Sequence, residues 1–487
     1  MTKHHAPWRI TVTLSLASLC FNTAAQTQPL QIGNREQLFL DDYMIARTGN
    51  ISRRINSARK HPEPVIAPDK VWERNMTVVF GTVLFDAEEK TYKAWYYAGG
   101  HVGYAVSTDG LTWEKPELDV VTYDGRKTNL VVERGRFGDF FELFGVLKDP
   151  TDPDPARRYK MAFVTLDREF DGTYRHQFHR GERRALGTAV SPDGIHWSME
   201  REVASTDVCD ISRFYQDPQT GKYILFGRTK ITPDRDDGTW KVAGWGRAVH
   251  YLESPDFRNW SAGELVLAAD NTDPSGAEVY SLSAFPYEGV TIGLVQMFYA
   301  LPDELNLDVQ LGISRDGRHF QRVSPRTPFI AEGPVGAWDR YNISVGCLPP
   351  VAVGDELWFY YSGRTCRHSP YAGPDNGPKI GQIGLAKITR GRFVSLEASF
   401  DGGTLLTKSF IVDGDVLYLN VDAQYGQILV SLQSPDGSEI ATRTLSGKDG
   451  VNIHANFRER TLSELRGKPA QLLFTLRNAQ LYGFCLK

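Results

Sequence analysis

The sequence predicts an all-β protein that consists of a five-bladed β-propeller and a C-terminal β-sandwich domain of jelly-roll type. Three observations predict this fold: a hairpin unit that occurs five times, a turn heptad that occurs four times, and a run of short alternating strands after residue 395. At 487 residues the chain exceeds one ordinary hydrophobic core, which agrees with two domains.

The hairpin unit consists of an apolar strand, a polar turn and an aromatic strand. Its copies are TVLFDAEEKTYKAWYYAGG, FGVLKDPTDPDPARRYKMAFV, RFYQDPQTGKYILFGR, AFPYEGVTIGLVQMFYA and PPVAVGDELWFYYSGR. Together with the turn heptads, they describe four-stranded blades arranged around an axis, which leaves only short sheet edges exposed. We therefore expect a catalytic propeller domain over residues 34–395.

The turn heptad follows each of the first four hairpin units. Its copies are STDGLTW at 107–113, SPDGIHW at 191–197, SPDFRNW at 254–260 and SRDGRHF at 314–320. A short β-type run precedes each copy, so the aspartate is expected to form a tight turn and to cap that turn with its own side chain. No chemistry is assigned to these aspartates. The Asp-box turn of sialidases is similar but has an extra residue between Asp and Gly.

The blade pattern ends after Ser395, and short strands of alternating polarity follow. This alternation is typical of a β-sandwich, which we place at residues 396–487. The segment LSELRGKPA predicts one short helical turn in it. The domain either binds sugar or packs against the propeller, and packing is favoured.

The N-terminal segment resembles a secretory signal peptide. Basic residues precede an apolar run over 10–21, and small residues follow at 23–25. We predict cleavage after a signal peptide of residues 1–25 and a secreted or periplasmic protein. Cys20 could be a lipidation site, but the bulk of Leu19 disfavours it. No later window of about 18 apolar residues predicts a membrane span.

Charge and cysteine usage exclude several classes of function. The net charge of -4 gives no basic stripe for nucleic acid. The cysteines after residue 25 have no metal-ligand spacing, no cofactor or metal is predicted, and buried free thiols are favoured over disulfides. They are Cys209, Cys347, Cys366 and Cys485. Aromatic residues make up 11% of the chain, which suits stacking on sugar rings and favours a carbohydrate partner.

Every predicted blade brings a carboxylate to the beginning of its first strand, where residues of different blades converge at the axis. These acids are Glu73, Asp139 and Glu142, Asp207 and Asp210, Glu278, and Glu332 and Asp339. Hydrolysis of a glycosidic bond needs two carboxyl groups, one protonated and one ionised. Crowding of like charges raises some pKa values, which keeps one group protonated near neutral pH.

Several segments resemble one bacterial family. They include LFLDDYMI, FGTVLFD, YAVSTDGLTWEKPEL, YSLSAFPYEGV, GTLLTKSF and LRNAQLYGF, and they span nearly the whole chain after the signal peptide. Members of this family are described as related to the amino-terminal domain of glycoside hydrolase family 32. They are similar to the wider five-bladed group of families 32, 43, 68 and 130. The resemblance implies a glycoside hydrolase with acids on the first strands of successive blades.

Only some of the family's site residues can be assigned to positions in this sequence. The invertase-type motifs WMNDPNG, RDP and EC are absent, so fructan activity is not implied. Asp210 and Glu278 stand where relatives carry an acid, and Glu73 follows the Trp of a recurrent Trp-Glu pair. Asp41 and Asp42 match the family's LFxDD pattern, in a strand that could close the ring.

We therefore predict Asp210 and Glu278 as the catalytic pair and Glu73 as a third acid that orients the sugar or tunes a pKa. Either member of the pair could be the acid. Arginines can hold hydroxyl, carboxylate or sulfate groups as bidentate donors. The predicted substrate-binding residues are Arg74, His101, Asp139, Arg228, Asp339 and Arg340.

Two other functions remain open at this point. One is a non-catalytic carbohydrate-binding propeller. The other is a polysaccharide lyase or a sialidase-like enzyme on the same architecture. A sialidase needs three arginines around one carboxylate and a tyrosine beside a glutamate, which the sequence does not indicate. A lyase needs a tyrosine or histidine base near an arginine, and His101 with Arg74 is the only such indication.

Overall fold

The structure is a computed structural model, and the residues it describes are 28–138, 142–167, 177–179, 182–231, 246–300, 305–347, 349–368, 378–457 and 462–487. The predicted signal peptide and Asp139 lie outside these ranges. Over the described ranges, no helix has the length and apolar character that crossing a membrane requires.

The predicted five-bladed propeller is confirmed, because five antiparallel sheets follow one another along the chain. From the axis outward, blade one has Thr77–Asp86, Thr91–Ala98, His101–Ser107 and Leu130–Val132. Blade two has Glu142–Lys148, Tyr159–Asp167, Glu182–Ser191 and Ser198–Ser205, with Gln177–His179 beside the third strand. Blade three has Arg213–Gln216, Tyr223–Lys230, Arg247–Ser254 and Glu264–Ala268. Blade four has Ala277–Tyr287, Val290–Tyr299, Asn306–Ser314 and Gln321–Arg322.

Blade five takes its outermost strand from the N-terminal part of the chain, which closes the ring. Its strands are Tyr341–Val345 and Val351–Val353, both paired with Glu356–Arg364, then Gly381–Thr389 and finally Arg59–Lys60. The closing strand therefore lies after the LFxDD segment rather than within it. Asp41 instead accepts hydrogen bonds from the guanidinium of Arg315 at 2.8 Å and 2.7 Å.

The inner strands approach one another so closely at the axis that glycine is required. A Cβ atom on Gly145 would lie 2.3 Å from the Sγ of Cys347, and one on Gly346 would lie 2.5 Å from the carbonyl oxygen of Gly81. Space for a ligand must therefore be sought at the end of the axis. All four cysteines in the described residues are free and buried, as predicted.

Each heptad aspartate caps its own turn, as the sequence predicts. Asp109 accepts backbone N–H groups from Leu111 at 2.8 Å and Thr112 at 2.7 Å. The same pair of bonds occurs at Asp193, Asp256 and Asp316. These bonds hold the pKa of Asp109 at about 2, with Thr112 as the largest cause. The heptads are therefore structural turns of the blades.

The second domain is a ten-stranded antiparallel sheet around its own hydrophobic core. Its strands are Gln37–Leu38, Ile45–Gly49, Ser52–Ile55, Val394–Ala398, Gly403–Thr407, Phe410–Ile411, Leu417–Gln433, Glu439–His454, Pro469–Arg477 and Ala479–Leu486. Three of them precede the propeller, within the range 34–395 that was assigned to it. The boundary at residue 396 also falls inside a strand, so the two domains share the N-terminal segment.

The long strand Leu417–Gln433 folds this sheet back on itself. Its first half pairs with Ala479–Leu486 and its second half with Pro469–Arg477, and the register shifts between Ala423 and Gln427. The sheet therefore encloses the core in the manner of a sandwich. The predicted helical turn is present as the short 3-10 helix Leu462–Leu465. The other two 3-10 helices of the described chain are Val71–Glu73 and Pro155–Arg157, and Leu118–Tyr123 with Arg126–Thr128 forms a separate hairpin.

Candidate active site at the mouth of the propeller

We call the face at which the five inner strands begin the mouth. The strands begin there at Thr77, Glu142, Arg213, Ala277 and Tyr341. The second strand of each blade ends, and the third begins, on this same face because neighbouring strands are antiparallel. Side chains from all five blades can therefore converge at the mouth.

Asp210 lies in the turn that leads into blade three. The turn needs a left-handed backbone at the next residue, Ile211, whose φ is 54°. The Asp210 side chain is almost buried and forms ion pairs with Arg184 of blade two and Arg228 of blade three. Two guanidinium groups therefore face one carboxylate at the mouth.

Glu278 is the second residue of the inner strand of blade four. Its side chain is 3% exposed. One carboxylate oxygen accepts the backbone N–H of Gly246 at 2.9 Å, and the other pairs with the guanidinium of Arg247. Both partners come from blade three, so Glu278 joins two blades at the mouth.

The ring of Tyr280 connects these two carboxylates. The guanidinium carbon of Arg228 lies 5.0 Å from the ring centre, and that of Arg247 lies 5.6 Å from it. Arg228 pairs with Asp210 and Arg247 with Glu278. Each of the two carboxylates predicted as a pair thus forms an ion pair with an arginine that lies against the same aromatic ring.

Tyr280 also forms a pair that the sequence analysis did not anticipate. Its hydroxyl lies 2.8 Å from Nε2 of His368, which follows the middle strand of blade five. Burial, followed by the charges of Arg247 and Arg364, lowers the pKa of His368 to about 3. His368 is therefore neutral at physiological pH. Its separation of 88 residues from Tyr280 leaves no local sequence signal for this contact.

Glu142 is a third carboxylate at the mouth, on the first residue of the inner strand of blade two. It is half-buried, and its Oε2 atom is buried without a hydrogen-bond partner in the described parts of the chain. Its charge contributes to the raised pKa of Tyr97, for which burial is the larger cause. Glu142 belongs to the acids that begin the blades but was not chosen as a site residue. Asp139, which was chosen, is not described.

Glu73 lies in a different environment, within blade one and the turn before it. One oxygen accepts the backbone N–H groups of Asp69 at 2.8 Å and Lys70 at 3.0 Å. The other accepts the hydroxyl of Tyr96 at 2.8 Å and pairs with Lys115 at 2.6 Å. The side chain has no exposed surface. This is the environment of a structural carboxylate, and it offers no atom to a sugar.

Arg74 and His101 lie near each other on the blade-one side of the mouth. Arg74 is exposed and has a left-handed backbone with φ 50°. His101 is mostly buried, and its Nδ1 accepts the backbone N–H of Arg134 at 3.2 Å. Burial and the charge of Arg74 lower the pKa of His101. Neutral His101 and charged Arg74 could both contact a ligand that extends across blade one.

Asp339 links the closing strand to blade five through an ion pair and a hydrogen bond. Its Oδ2 atom pairs with Nζ of Lys60 at 2.6 Å and accepts the hydroxyl of Tyr361 at 2.8 Å. The side chain is 4% exposed. These contacts favour a role in ring closure over the predicted contact with substrate.

Arg340 lines a pocket of about 360 Å³ between blades four and five. It pairs with Glu332 at 2.8 Å, and burial raises the pKa of Glu332. Beside this pocket, burial and the charge of Glu332 raise the pKa of Asp308 to about 7, against a hydrogen bond from Tyr299 that lowers it. The pocket extends the mouth toward the rim.

Among the residues that the structure describes, no group of three or more His, Cys, Asp and Glu side chains is placed to hold a metal ion.

No protein-family model matches the sequence, and no curated protein matches it significantly. Solved structures of carbohydrate-active proteins are similar in fold. An N-acetylgalactosamine deacetylase from F. plautii, in complex with blood group B trisaccharide, has 16% identity and a TM-score of 0.46, over 71% of this chain and 96% of that one. A thermostable family-43 glycoside hydrolase has 12% identity and a TM-score of 0.41, over 63% of this chain and 89% of that one. A Bombyx mori β-fructofuranosidase of glycoside hydrolase family 32 has 11% identity and a TM-score of 0.42, over 89% of this chain and 95% of that one. At such low sequence identities and TM-scores, the similarity supports no statement about substrate or reaction.

Proposed function

We propose that the protein is a secreted glycoside hydrolase that cleaves a poly- or oligosaccharide at the mouth of the propeller, with Asp210 and Glu278 as the catalytic carboxylates. The observation that carries this proposal is their convergence from two blades on the ring of Tyr280, through Arg228 and Arg247. Paired carboxyl groups are what hydrolysis of a glycosidic bond requires.

The surroundings of the two carboxylates suggest how the roles divide. Two guanidinium groups favour the ionised form of Asp210, which suits it to activate water or to attack the anomeric carbon. Glu278 has one arginine and one backbone N–H, and it is the better candidate to give a proton to the departing oxygen. Glu142 is a half-buried third carboxylate at the mouth, and a carboxylate can accept hydrogen bonds from sugar hydroxyls through whichever oxygen is exposed.

The test is a screen of the purified protein against plant and marine polysaccharides, with release of reducing ends as the measurement. We expect Asp210→Asn and Glu278→Gln to lower kcat at least about a hundredfold on any substrate found. The matched control is Glu202→Gln, which changes an exposed acid on the outer strand of blade two and should leave kcat unchanged. Full activity in both site variants would exclude this pair.

The contact between Tyr280 and His368 favours one second candidate, a lyase acting on a uronate. In such a reaction a base removes the proton at C5, the electron pair forms the C4–C5 double bond, and the C4–O bond breaks toward the leaving group. The Tyr280 hydroxyl, held by its hydrogen bond with neutral His368, could supply the base, and the guanidinium groups beside that ring could neutralise the uronate.

The products separate the two candidates. Hydrolysis consumes water and forms saturated reducing ends, whereas elimination forms an unsaturated sugar that absorbs in the ultraviolet. Tyr280→Phe keeps the ring but removes the hydroxyl, so it should abolish elimination and leave measurable hydrolysis. Reducing ends without ultraviolet absorbance would exclude the lyase.

A further inference from the structure

Five arginines lie at the mouth, four of them against the rings of Phe80 and Tyr280 and the fifth, Arg184, paired with Asp210. They are Arg184, Arg213, Arg228, Arg247 and Arg364. Arg213 and Arg364 each place the guanidinium carbon 5.7 Å from the centre of the Phe80 ring. Phe80 and Tyr280 belong to one hydrophobic cluster, so these groups surround a single area.

Three carboxylates of the described residues face these five arginines. Asp210 pairs with Arg184 and Arg228, and Glu278 pairs with Arg247. The remaining carboxylate, Glu142, is close enough to act electrostatically on Arg213 but forms no ion pair in the described structure. In the described part of the mouth, guanidinium groups therefore outnumber carboxylates.

Arg213 has hydrogen-bonding capacity to spare although it is 1% exposed. Its Nε donates to the carbonyl of Val345 at 2.9 Å and its Nη1 to that of Ser212 at 2.8 Å. Its Nη2 has no partner among the described residues. A buried charged donor without a partner costs free energy, and a negative charge bound nearby would offset part of that cost.

Arg364 ends the middle strand of blade five and is half-buried. In the part of the chain that the structure describes, its guanidinium contacts the Phe80 ring and forms no ion pair. Its charge reaches both sides of the mouth, because it contributes to the shifted pKa values of Tyr97 and His368. Arg364 is thus the cation best placed to receive a ligand.

We propose that the mouth binds an anionic glycan, whose carboxylate or sulfate group is received by Arg364 above Phe80, with the buried charge of Arg213 adding electrostatic attraction. This inference rests on the proposed function only in taking the mouth as the site at which a sugar binds. A planar guanidinium matches carboxylate and sulfate oxygens with paired hydrogen bonds, and both groups present that chemistry. The aromatic ring beneath offers a surface for the apolar face of the sugar.

The test measures binding of three sugars that differ in charge: D-glucose, D-glucuronate and D-glucose 6-sulfate. Isothermal titration or saturation-transfer NMR on the whole protein gives the Kd of each. We expect at least one anionic sugar to bind about tenfold or more tightly than glucose, and to bind more weakly as salt rises. Which anion binds better identifies the charged group.

Arg364→Gln should weaken binding of that anion about tenfold, because one charge-assisted contact is lost. Arg201→Gln is the matched control, since it changes an exposed arginine on the outer strand of blade two and should have no effect. The proposal is overturned if glucose binds as well as both anions, if neither anion binds, or if Arg364→Gln binds like the wild type.

Activity separates this inference from the proposed function. Hydrolysis of neutral polysaccharides only, without binding of the anionic sugars, would overturn the anionic substrate and leave the hydrolase. Binding of an anionic sugar that depends on Arg364, with no hydrolysis of any glycan that carries the same group, would support the anionic site and overturn the hydrolase.

Discussion

Glu73 and Asp210 show how differently two buried carboxylates are used in this protein. Glu73 is enclosed by a lysine, a tyrosine hydroxyl and two backbone N–H groups of its own blade. Asp210 faces two arginines at the mouth, one of which also lies against Tyr280. The first arrangement stabilises a turn, and the second holds charge where a ligand can approach.

Glu73→Gln should therefore affect stability and leave the chemistry intact. Removing the charge takes from Lys115 its ion pair with Glu73 but leaves it Asp69 and the carbonyl oxygen of Ala67, so the free energy of unfolding should fall by about 2 kcal/mol. Denaturant unfolding measures this loss, and kcat per folded molecule should stay within about twofold of the wild type. A large fall in kcat at unchanged stability would instead restore Glu73 as a catalytic residue.

The pKa of His368 reports on the charges that surround it at the mouth. Burial, Arg247 and Arg364 lower its pKa to about 3, so its NMR signals should not titrate between pH 5 and 8 in the wild type. Arg364→Gln removes a positive charge and should raise this pKa. An ordinary titration near pH 6.5 in the wild type would contradict the burial of His368 beside Arg247 and Arg364.

At the scale of elements, the four aspartate turns share one local arrangement of hydrogen bonds. Each turn closes with two backbone N–H groups on one carboxylate oxygen, within three residues of sequence. Because these contacts are local, the sequence pattern predicts them without knowledge of the fold. Ring closure is different, since Lys60 reaches Asp339 across 279 residues.

Asp109→Ala should lower the free energy of unfolding by about 1 kcal/mol, as loss of a side-chain cap does. The effect should depend on pH. The backbone N–H groups of Thr112 and Leu111 hold the pKa of Asp109 at about 2, below its usual 3.8, so its contribution is complete above pH 3.8 and is lost as pH falls toward 2. Wild type and variant should therefore converge in acid. Asp119→Ala, in an exposed strand position, is the control and should cost nothing measurable.

At the scale of the whole molecule, the propeller and the sandwich enclose a cavity of about 370 Å³. Its lining includes Glu36, Tyr287, Arg390, Tyr418, Asn420 and Lys487. Burial raises the pKa of Glu36 to about 7, with Glu288 also raising it and a hydrogen bond from Asn420 opposing. A carboxyl group at the interface is thus protonated in mildly acidic solution.

Glu36 should make the folded protein less stable as pH rises from about 4.5 to 7. In this window the folded state keeps a proton that the unfolded chain has lost, so the free energy of unfolding falls by up to about 1.4 kcal/mol per pH unit. Glu36→Gln should flatten this slope in denaturant unfolding measured from pH 4.5 to 7. Part of the slope should remain, because Asp308 has a pKa of about 7 as well. An unchanged slope would contradict the assignment.

The repeated hairpins and turns determined much of this architecture from sequence alone. Five sheets, their order and the structural role of the turn aspartates follow from contacts between residues close in the chain, and such contacts leave periodic patterns. The repeat placed an acid at the beginning of every blade, and the resemblance to a family singled out Asp210 and Glu278 among these acids. Their function as catalysts stays a prediction.

Only the tertiary structure decided which residues surround them. Lys115 takes Glu73 out of reach, His368 meets Tyr280, and the strands before residue 56 pair with a domain that begins near residue 394. These contacts join residues from about 40 to more than 300 positions apart, where no local periodicity records them. Sequence alone thus determined the blades and the acids at their beginnings, whereas only the tertiary structure brought together at the mouth five arginines that are far apart in the sequence.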